Sequence, residues 1–485
     1  MTFHKHPIRI LFCLTLASAL SVGLMLPPKQ LQSTSDIRQH TARPNIVFIL
    51  ADDLGWKDVG FMGSTFYETP NLDRLAAQGI RFTSAYAAAA NCAPSRACLL
   101  SGQYSPRHGI YTVANADRGD AKTRKLMPVK NNEVLPDSVY TLAEALRDAG
   151  YQTASIGKWH LGKSPESHGF SYSRAGDQRG MNRHFSPYGI PNLPDGPTGE
   201  YLTDRLTDEA LAFLDQTQQK ANAARPFFLY LPFYAVHTPL QAPDSLITKY
   251  ERKPKTPGQN HTAYAAMIES LDRNVGRVLK KLDALGLDQN TLVIFTSDNG
   301  GIRSISRQDP LRAGKGSYYE GGVRVPLVVR WPGTIRAGST SQTPVINLDF
   351  YPTFQDILKL PNPKQPLDGI SIIPLLTGKS VPERPFFWHF PIYLEAYDPK
   401  TDGGRDPLFR TRPGSTVRLG DWKLHEYFED NGVELYNLKT DLGEQRNVAS
   451  ANPAVVKKLH KLVQDWRTKQ AAFIPTEPNP AYVAP

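Results

Sequence analysis

Residues 45–53 read N-I-V-F-I-L-A-D-D, a continuous apolar run of strand length from Asn45 to Leu50 that ends abruptly in Ala51-Asp52-Asp53. A run without polar alternation suits a strand covered on both faces, because a strand with one wet face alternates. The layout recurs downstream. A helical stretch over Leu72–Gln78 leads into Ile80–Tyr86, and Thr141–Ala149 stops at Gly150 before Tyr151–Ile156. Amphipathic Asp204–Lys220 precedes Pro226–Val236, and Tyr264–Leu285 precedes Thr291–Thr296. Helices alternating with apolar strands predict an α/β fold built on a large, mostly parallel sheet sandwiched by helices. Chemistry on such sheets gathers beyond the carboxyl ends of the strands. The polar residues there are Asp52-Asp53, Lys158 and His160, His237, and Asp298-Asn299, so the pattern predicts that they meet on one rim.

Two long irregular segments, 162–200 and 300–322, lie among these strands; the second carries Arg303, Arg307, Arg312 and Lys315 against Asp309 and Glu320. Loops of this length in a compact domain are usually functional or disordered. From about Pro385 the alternation fades. Thr416–Tyr436 predicts a hairpin turning at Asp430-Asn431-Gly432, and Pro453–Gln470 a terminal helix. The chain therefore divides into an α/β domain over 44–384 and a C-terminal subdomain over 385–485, a short antiparallel sheet plus a helix.

Of the 485 residues, 40% are hydrophobic and 21% charged, an ordinary globular balance that excludes wholesale disorder. Forty prolines and 36 glycines argue against a coiled coil or plain helical bundle. The 56 Lys+Arg outnumber the 46 Asp+Glu, a formal charge of +10 that favours an acidic partner. Nucleic acid is not expected, since the basic residues are dispersed and no groove-reading motif or aromatic-interleaved basic stripe occurs. Apolar Ile10–Leu26 behind Lys5 and Arg9 reads as a signal peptide over 1–26, with a polar linker over 27–43. No other stretch reaches the roughly 18 apolar residues of a membrane span. The expected product is exported, periplasmic or secreted. Loss of residues 1–26 lowers the charge only to +8, so the basic bias belongs to the folded body. Three cysteines exclude a disulfide-stapled scaffold, and Cys13 leaves with the signal.

The sharpest local feature runs Asn91-Cys92-Ala93-Pro94-Ser95-Arg96-Ala97-Cys98-Leu99-Leu100-Ser101-Gly102. Pro94 favours a first helical turn, which sets Cys92 at or just before a helix N-terminus, where free N–H groups favour an anion and a reactive thiol. A Cys92–Cys98 bridge would need that turn unwound, because six residues along one helix separate the two Cβ atoms. Cys98 is expected to be buried and inert, and Trp159 and Leu161 to be packing residues.

Cys92-x-Pro94-Ser95-Arg96 with Leu100-Ser101-Gly102 resembles the signature of the type I, formylglycine-dependent sulfatases of the alkaline-phosphatase-like superfamily. Gly150-Tyr151-x-Thr153-x-x-x-Gly157-Lys158-Trp159-His160 is similar to the family's second motif. Asp52-Asp53, Val236-His237, Ser297-Asp298-Asn299-Gly300 and Lys315-Gly316 occur in the family's order. The likeness runs from about Pro44 to the terminal helix, with Ser101 where threonine is commoner.

The resemblance implies that Cys92 is oxidised to Cα-formylglycine by a formylglycine-generating or anaerobic sulfatase-maturing enzyme. Asp52, Asp53, Asp298, Asn299 and the modified Cys92 would hold a divalent cation. Oxygen donors suit Ca²⁺, or less readily Mg²⁺, better than zinc. A hydroxyl of the hydrated aldehyde would attack sulfur, with Asp298 as base and His237, helped by Lys315, protonating the leaving oxygen. His160 would then deprotonate the second hydroxyl to expel sulfate, while Arg96 and Lys158 hold those hydroxyls. Export and the basic body suit a sulfated carbohydrate substrate, with Arg179, Arg183, His184, Arg303, Arg307 and Arg312 as candidates for contacts beyond the scissile sulfate. The alternatives are an arylsulfatase acting on small substrates, a phosphomonoester or phosphonate-ester hydrolase with the same chemistry, and a non-catalytic binder of sulfated glycans. The complete set from Asp52 to Lys315 argues against the last.

Overall fold

A computed structural model describes residues 43–180, 183–219 and 222–484; the expected signal peptide and, apart from Arg43, the expected linker lie outside the described residues. The main sheet contains β1 (Asn45–Ala51), β2 (Ile80–Tyr86), β3 (Gln152–Ile156), β4 (Tyr172–Arg174), β5 (Phe227–Pro232), β6 (Thr291–Ser297), β7 (Arg324–Arg330), β8 (Ser339–Ser341) and β9 (Val345–Ile346). Their order is β4-β3-β5-β1-β6-β7-β2-β8, with β9 also against β2. β1 lies between β5 and β6 and is parallel to both. Its side chains alternate between two cores, as the unbroken apolar run predicts. Val47, Ile49 and Ala51 pack under the helices Pro70–Gln78, Leu202–Thr217 and Thr262–Ala284. Ile46, Phe48 and Leu50 pack under Cys92–Ser101, Leu142–Asp148 and Phe350–Leu358. Each fully buried Ile, Leu or Phe contributes roughly 2 kcal/mol, so slipping β1 by one residue would exchange two complete sets of contacts.

β7 departs from the sequence reading, which contains no strand there. It pairs antiparallel with both β6 and β2 and so makes the sheet mixed, though still mostly parallel. Pro326 within R-V-P-L-V-V-R argues against a central strand, because proline gives no ladder hydrogen bond. The β2 partner accommodates it: the pairing shifts register between Phe82 and Ala85, opposite Pro326.

The C-terminal strands are β10 (Phe386–Phe390), β11 (Leu394–Glu395), β12 (Phe409–Thr411), β13 (Gly414–Leu419), β14 (Trp422–Tyr427) and β15 (Val433–Asn437). β10-β13-β14-β15 form an antiparallel sheet, and β11-β12 a separate two-stranded arm. The helix Pro453–Gln470 packs on β13 and β14, with Trp466 stacked on Phe387 at 4.8 Å. One correction concerns the predicted hairpin. Thr416–Tyr436 holds two hairpins, since the chain also reverses between Leu419 and Trp422, where Gly420 takes a left-handed φ of 57°. Among the described residues no helix is long and apolar enough to cross a membrane.

Candidate active site

Four strand ends and one helix N-terminus converge as the fold predicts, joined by the 300–322 segment. Asp52 and Asp53 follow β1, and Asp53 takes a left-handed φ of 62°, which Asp tolerates better than most residues. This breaks the strand alternation and lets two consecutive carboxylates face one centre. Both are almost wholly shielded from solvent. The helix Cys92–Ser101 begins at Cys92, and Arg96, one turn on, lies on the same face. Lys158 leaves β3 through Gly157, where a Cβ would lie 2.0 Å from the Pro232 carbonyl oxygen, so only glycine permits the crossing. His237 follows β5, Asp298 and Asn299 follow β6, and Lys315 arrives from the 300–322 segment.

The charges interlock. Arg96 donates from Nε and Nη2 to Asp298 Oδ2 at 3.0 and 2.8 Å, and from Nη1 to the Lys158 carbonyl at 2.7 Å. Lys158 Nζ reaches Asp52 Oδ2 at 2.5 Å, and Lys315 Nζ reaches Asp53 Oδ2 at 2.6 Å. The Cys92 thiol donates to Asp52 Oδ1 at 3.3 Å and lies 3.7 Å from Asp53 Oδ1. His237 Nε2 is 3.6 Å from Asp53 Oδ2, and its Nδ1–H donates to the Thr238 carbonyl at 2.6 Å. Donor atoms of Asp52, Asp53, Cys92 and His237 all lie within 4.8 Å of one another.

Three buried cations therefore offset three buried carboxylates around Cys92. Burial alone would raise both aspartates; Lys158, His237, Arg96 and Lys315 together outweigh it to hold Asp52 well below the carboxylate range, and Lys315, His237 and Lys158 together lower Asp53. Burial and the neighbouring Asp52 push Asp298 up to about 6 despite Arg96. Burial, then Asp52, pushes the Cys92 thiol far above its usual value. Burial and nearby cations, Lys158 and Arg96 for His160 and Lys315 and Lys158 for His237, keep both histidines neutral to lower pH than usual.

The donors fit a hard cation. Asn299 donates from Nδ2 to Asp53 Oδ1 at 2.8 Å, but its Oδ1 is buried without a partner. An orphaned amide oxygen beside three carboxylates is chemistry that Ca²⁺ or Mg²⁺ satisfies.

The outer candidates divide. Arg179 is exposed and pairs with Asp177 at 2.7 Å, and Arg183 is exposed. Arg303 and Arg307 share the Asp309 carboxylate at the cleft described below. His184 and Arg312 depart from expectation. His184 is fully buried and donates from Nε2 to the His237 carbonyl at 2.9 Å, so it braces His237 and is not open to substrate. Arg312 donates to the carbonyls of Gly403, Gly404 and Glu444 and to the Tyr436 hydroxyl, with its guanidinium 3.9 Å from the Tyr319 ring centroid. It clasps the 300–322 segment to the C-terminal part. Cys98, Trp159 and Leu161 are buried, as read, and both Cys92 and Cys98 are free thiols.

Sequence reasoning missed Asp58. Its buried carboxylate accepts from Gly55 N, Gln259 Nε2, Tyr264 Oη, Ser306 Oγ and Gln308 Nε2 at 2.6 to 3.1 Å. It thereby pins the turn after β1 to the 300–322 segment. Nothing in K-D-V-G distinguishes it from a surface turn.

A family model described as Sulfatase matches residues 44–360, and one described as N-sulphoglucosamine sulphohydrolase, C-terminal, matches residues 314–469. A sulfatase of Formosa agariphila is 36% identical over 93% of this chain and 93% of its own length. N-acetylgalactosamine-6-sulfatase of Mus musculus is 33% identical over 84% of this chain and 76% of its own length. The crystal structure of Ps i-CgsB in complex with k-i-k-neocarrahexaose is similar with a TM-score of 0.72 and 30% sequence identity, covering 90% of this chain and 95% of that one. The first family model spans most of the chain and contains the strand-end carboxylates, the Cys92 helix and Lys315, and the chain belongs to the sulfatase family of the alkaline-phosphatase-like superfamily.

Proposed function

We propose that this enzyme hydrolyses sulfate esters of a sulfated carbohydrate, with Cys92 converted to Cα-formylglycine and a divalent cation, calcium before magnesium, held by Asp52, Asp53, Asp298 and Asn299. The observation that carries the reading is the buried cage of Arg96, Lys158 and Lys315 against three aspartates around position 92. A plain thiol there is a poor nucleophile, because burial and Asp52 suppress its thiolate. When present, the formylglycine hydrate supplies the attacking hydroxyl and the cation makes it more acidic.

The chain's own residues do the rest. Arg96 fixes Asp298 through a two-nitrogen grip, holding that carboxylate in place for proton transfer. Lys158 and Lys315 bring ammonium groups to the centre where sulfuryl oxygens accumulate charge. His237 is oriented by the Thr238 carbonyl, which takes its Nδ1–H and leaves Nε2 facing the site; in the imidazolium form, which the Asp53 carboxylate favours, Nε2 gives its proton to the departing alcohol oxygen and the ring returns to neutral. His160, whose buried Nδ1 has no partner, takes the proton whose loss lets sulfate leave.

A carbohydrate ester is supported by the mouse relative, named for N-acetylgalactosamine 6-sulfate, and by the neocarrahexaose bound to Ps i-CgsB. The apolar Ile10–Leu26 supports export to the periplasm or medium after maturation by a formylglycine-generating or anaerobic sulfatase-maturing enzyme. Peptide mass spectrometry across position 92 of protein from its own cells, followed by turnover of matched sulfate and phosphate esters, tests the reading. The expected result is an aldehyde at 92 and preference for sulfate, lost in Cys92→Ala and His237→Ala proteins that remain folded. An unmodified thiol in active protein, or a large preference for phosphate, overturns it.

A further inference from the structure

The β11-β12 arm lies beside the catalytic lysine. Arg410, buried on β12, donates from Nη1 to the Lys315 carbonyl at 3.3 Å and from Nε to the Glu395 carbonyl at 2.8 Å. Its guanidinium also lies 3.4 Å from the ring centroid of Tyr397. A single buried cation thus joins the backbone of Lys315 to one face of the Tyr397 ring. The backbone under that ring is held as well. Asp402, itself buried, accepts from the amides of Tyr397 at 2.6 Å and Asp398 at 3.2 Å, and Arg312 anchors the following Gly403 and Gly404. Yet Tyr397 remains 50% exposed. An aromatic ring fixed on one face and bare on the other offers contact area without an ordering cost on binding.

Three residues further on, Lys400 lines a cleft of about 370 Å³ together with Arg303, Arg307, Asn260 and Thr401. Its two arginines share one carboxylate, Asp309. Burial and the cations Arg307 and Arg312 lower the pKa of Arg303 against the pull of Asp309, so positive charge is crowded there. Three residues span at most about 10 Å of chain, which is within reach of a neighbouring substituent on one oligosaccharide.

We propose that the arm forms a subsite beyond the scissile sulfate, in which Tyr397 stacks on the C–H face of a sugar ring and Lys400, with Arg303 and Arg307, binds a second sulfate of the same chain. The inference rests on the sulfatase reading and narrows its substrate to a multiply sulfated oligosaccharide. The amphipathic tyrosine ring suits a pyranose, which has one apolar face and a wet edge. The cleft suits an anion, with exposed Lys400 as its adaptable member.

Binding to the full-length Cys92→Ala protein tests this without turnover. The probes are k-i-k-neocarrahexaose, a heparin-derived hexasaccharide, a chondroitin 4,6-disulfate oligosaccharide, monosulfated counterparts of each, and 4-nitrophenyl sulfate, all measured by titration calorimetry. For the tightest multisulfated probe, Tyr397→Ala is expected to weaken binding about tenfold, and Tyr397→Phe to restore most of it. Lys400→Ala is expected to weaken the same probe about threefold and to have a smaller effect on its monosulfated counterpart. The subsite is overturned if no multisulfated probe binds, if Tyr397→Ala changes nothing, or if it weakens 4-nitrophenyl sulfate as much as the oligosaccharide. Turnover by the matured wild-type enzyme is read separately. A chain that binds with these dependences but cleaves no sulfate ester overturns the sulfatase reading and leaves the subsite standing.

Discussion

Lys423 Nζ donates to Glu320 Oε1 at 2.9 Å, with neither side chain exposed to solvent. The pair ties the end of the 300–322 segment to β14. The same ammonium reaches Glu444 Oε1 at 3.1 Å, and Glu444 in turn accepts from the Glu320 amide and pairs with His425 at 3.0 Å. Removing the shared cation would leave Glu320 to Arg324 and Glu444 to His425, one buried positive charge short for two buried carboxylates, the expensive way to break such a group. Lys423→Ala is therefore expected to cost about 3–5 kcal/mol of stability, read from the denaturant midpoint of the full chain. A loss below about 1 kcal/mol, the value of an exposed pair, would contradict this account.

The same cluster sets an acid limit. Burial alone would raise Glu320, but Lys423, Arg324 and Arg418 outweigh it and hold the carboxyl at about 2. The folded pKa thus lies below the unfolded value of about 4.3. The resulting stabilisation is complete above that unfolded value and is lost as pH falls toward about 2. Wild type should therefore melt above Glu320→Gln by a margin that is constant near neutrality and shrinks as pH falls from about 5 toward about 2. Melting curves at several pH values check it, and a margin independent of pH in that window refutes the assignment.

Asp52, Asp53, Lys158, His237, Asp298 and Asn299 were legible because each follows the end of an apolar run, whereas Cys92 and Arg96 on a helix and Lys315 in the 300–322 segment were legible only through the motifs they belong to. β1 announces itself through N-I-V-F-I-L, and its two-sided burial follows from the lack of alternation. β7 did not announce itself, because Pro326 reads as a strand breaker until the shifted register of β2 is seen. His184, Asp58 and Tyr397 share a different opacity. Their meaning lies in partners 53, 248 and 13 positions away, namely the His237 carbonyl, Ser306 and Arg410. No local pattern encodes such distances.

His184 carries a prediction of its own. Its imidazole holds the His237 carbonyl, while its backbone amide donates to Gln241 Oε1 at 2.8 Å. It thus ties the 162–200 segment to the chain just past β5. Loss of the ring would let His237 drift without removing any group that touches substrate. His184→Ala is expected to lower kcat about tenfold or more, with a smaller change in KM, and His184→Gln to recover part of the loss through its amide N–H. If KM rises while kcat holds, the residue belongs to substrate binding after all.

Cation dependence follows from Asn299. Its buried, unpartnered Oδ1 stands beside Asp53, where a bound cation would remove the cost of an unsatisfied acceptor, about 1–3 kcal/mol. A cation that binds only the folded chain stabilises it by about 2.7 kcal/mol at a concentration 100 times its dissociation constant. Chelation with EGTA should therefore lower the melting temperature of the full chain, and added calcium should restore it more fully than magnesium. Asn299→Ala should narrow the gap between chelated and calcium-loaded protein, since it removes one oxygen donor and with it the orphan that the cation satisfies. Elemental analysis supplies a second reading, with less metal retained per chain in the variant. A melting temperature indifferent to chelation, in protein that also carries no metal, would mean that Arg96, Lys158 and Lys315 balance the three aspartates without a cation.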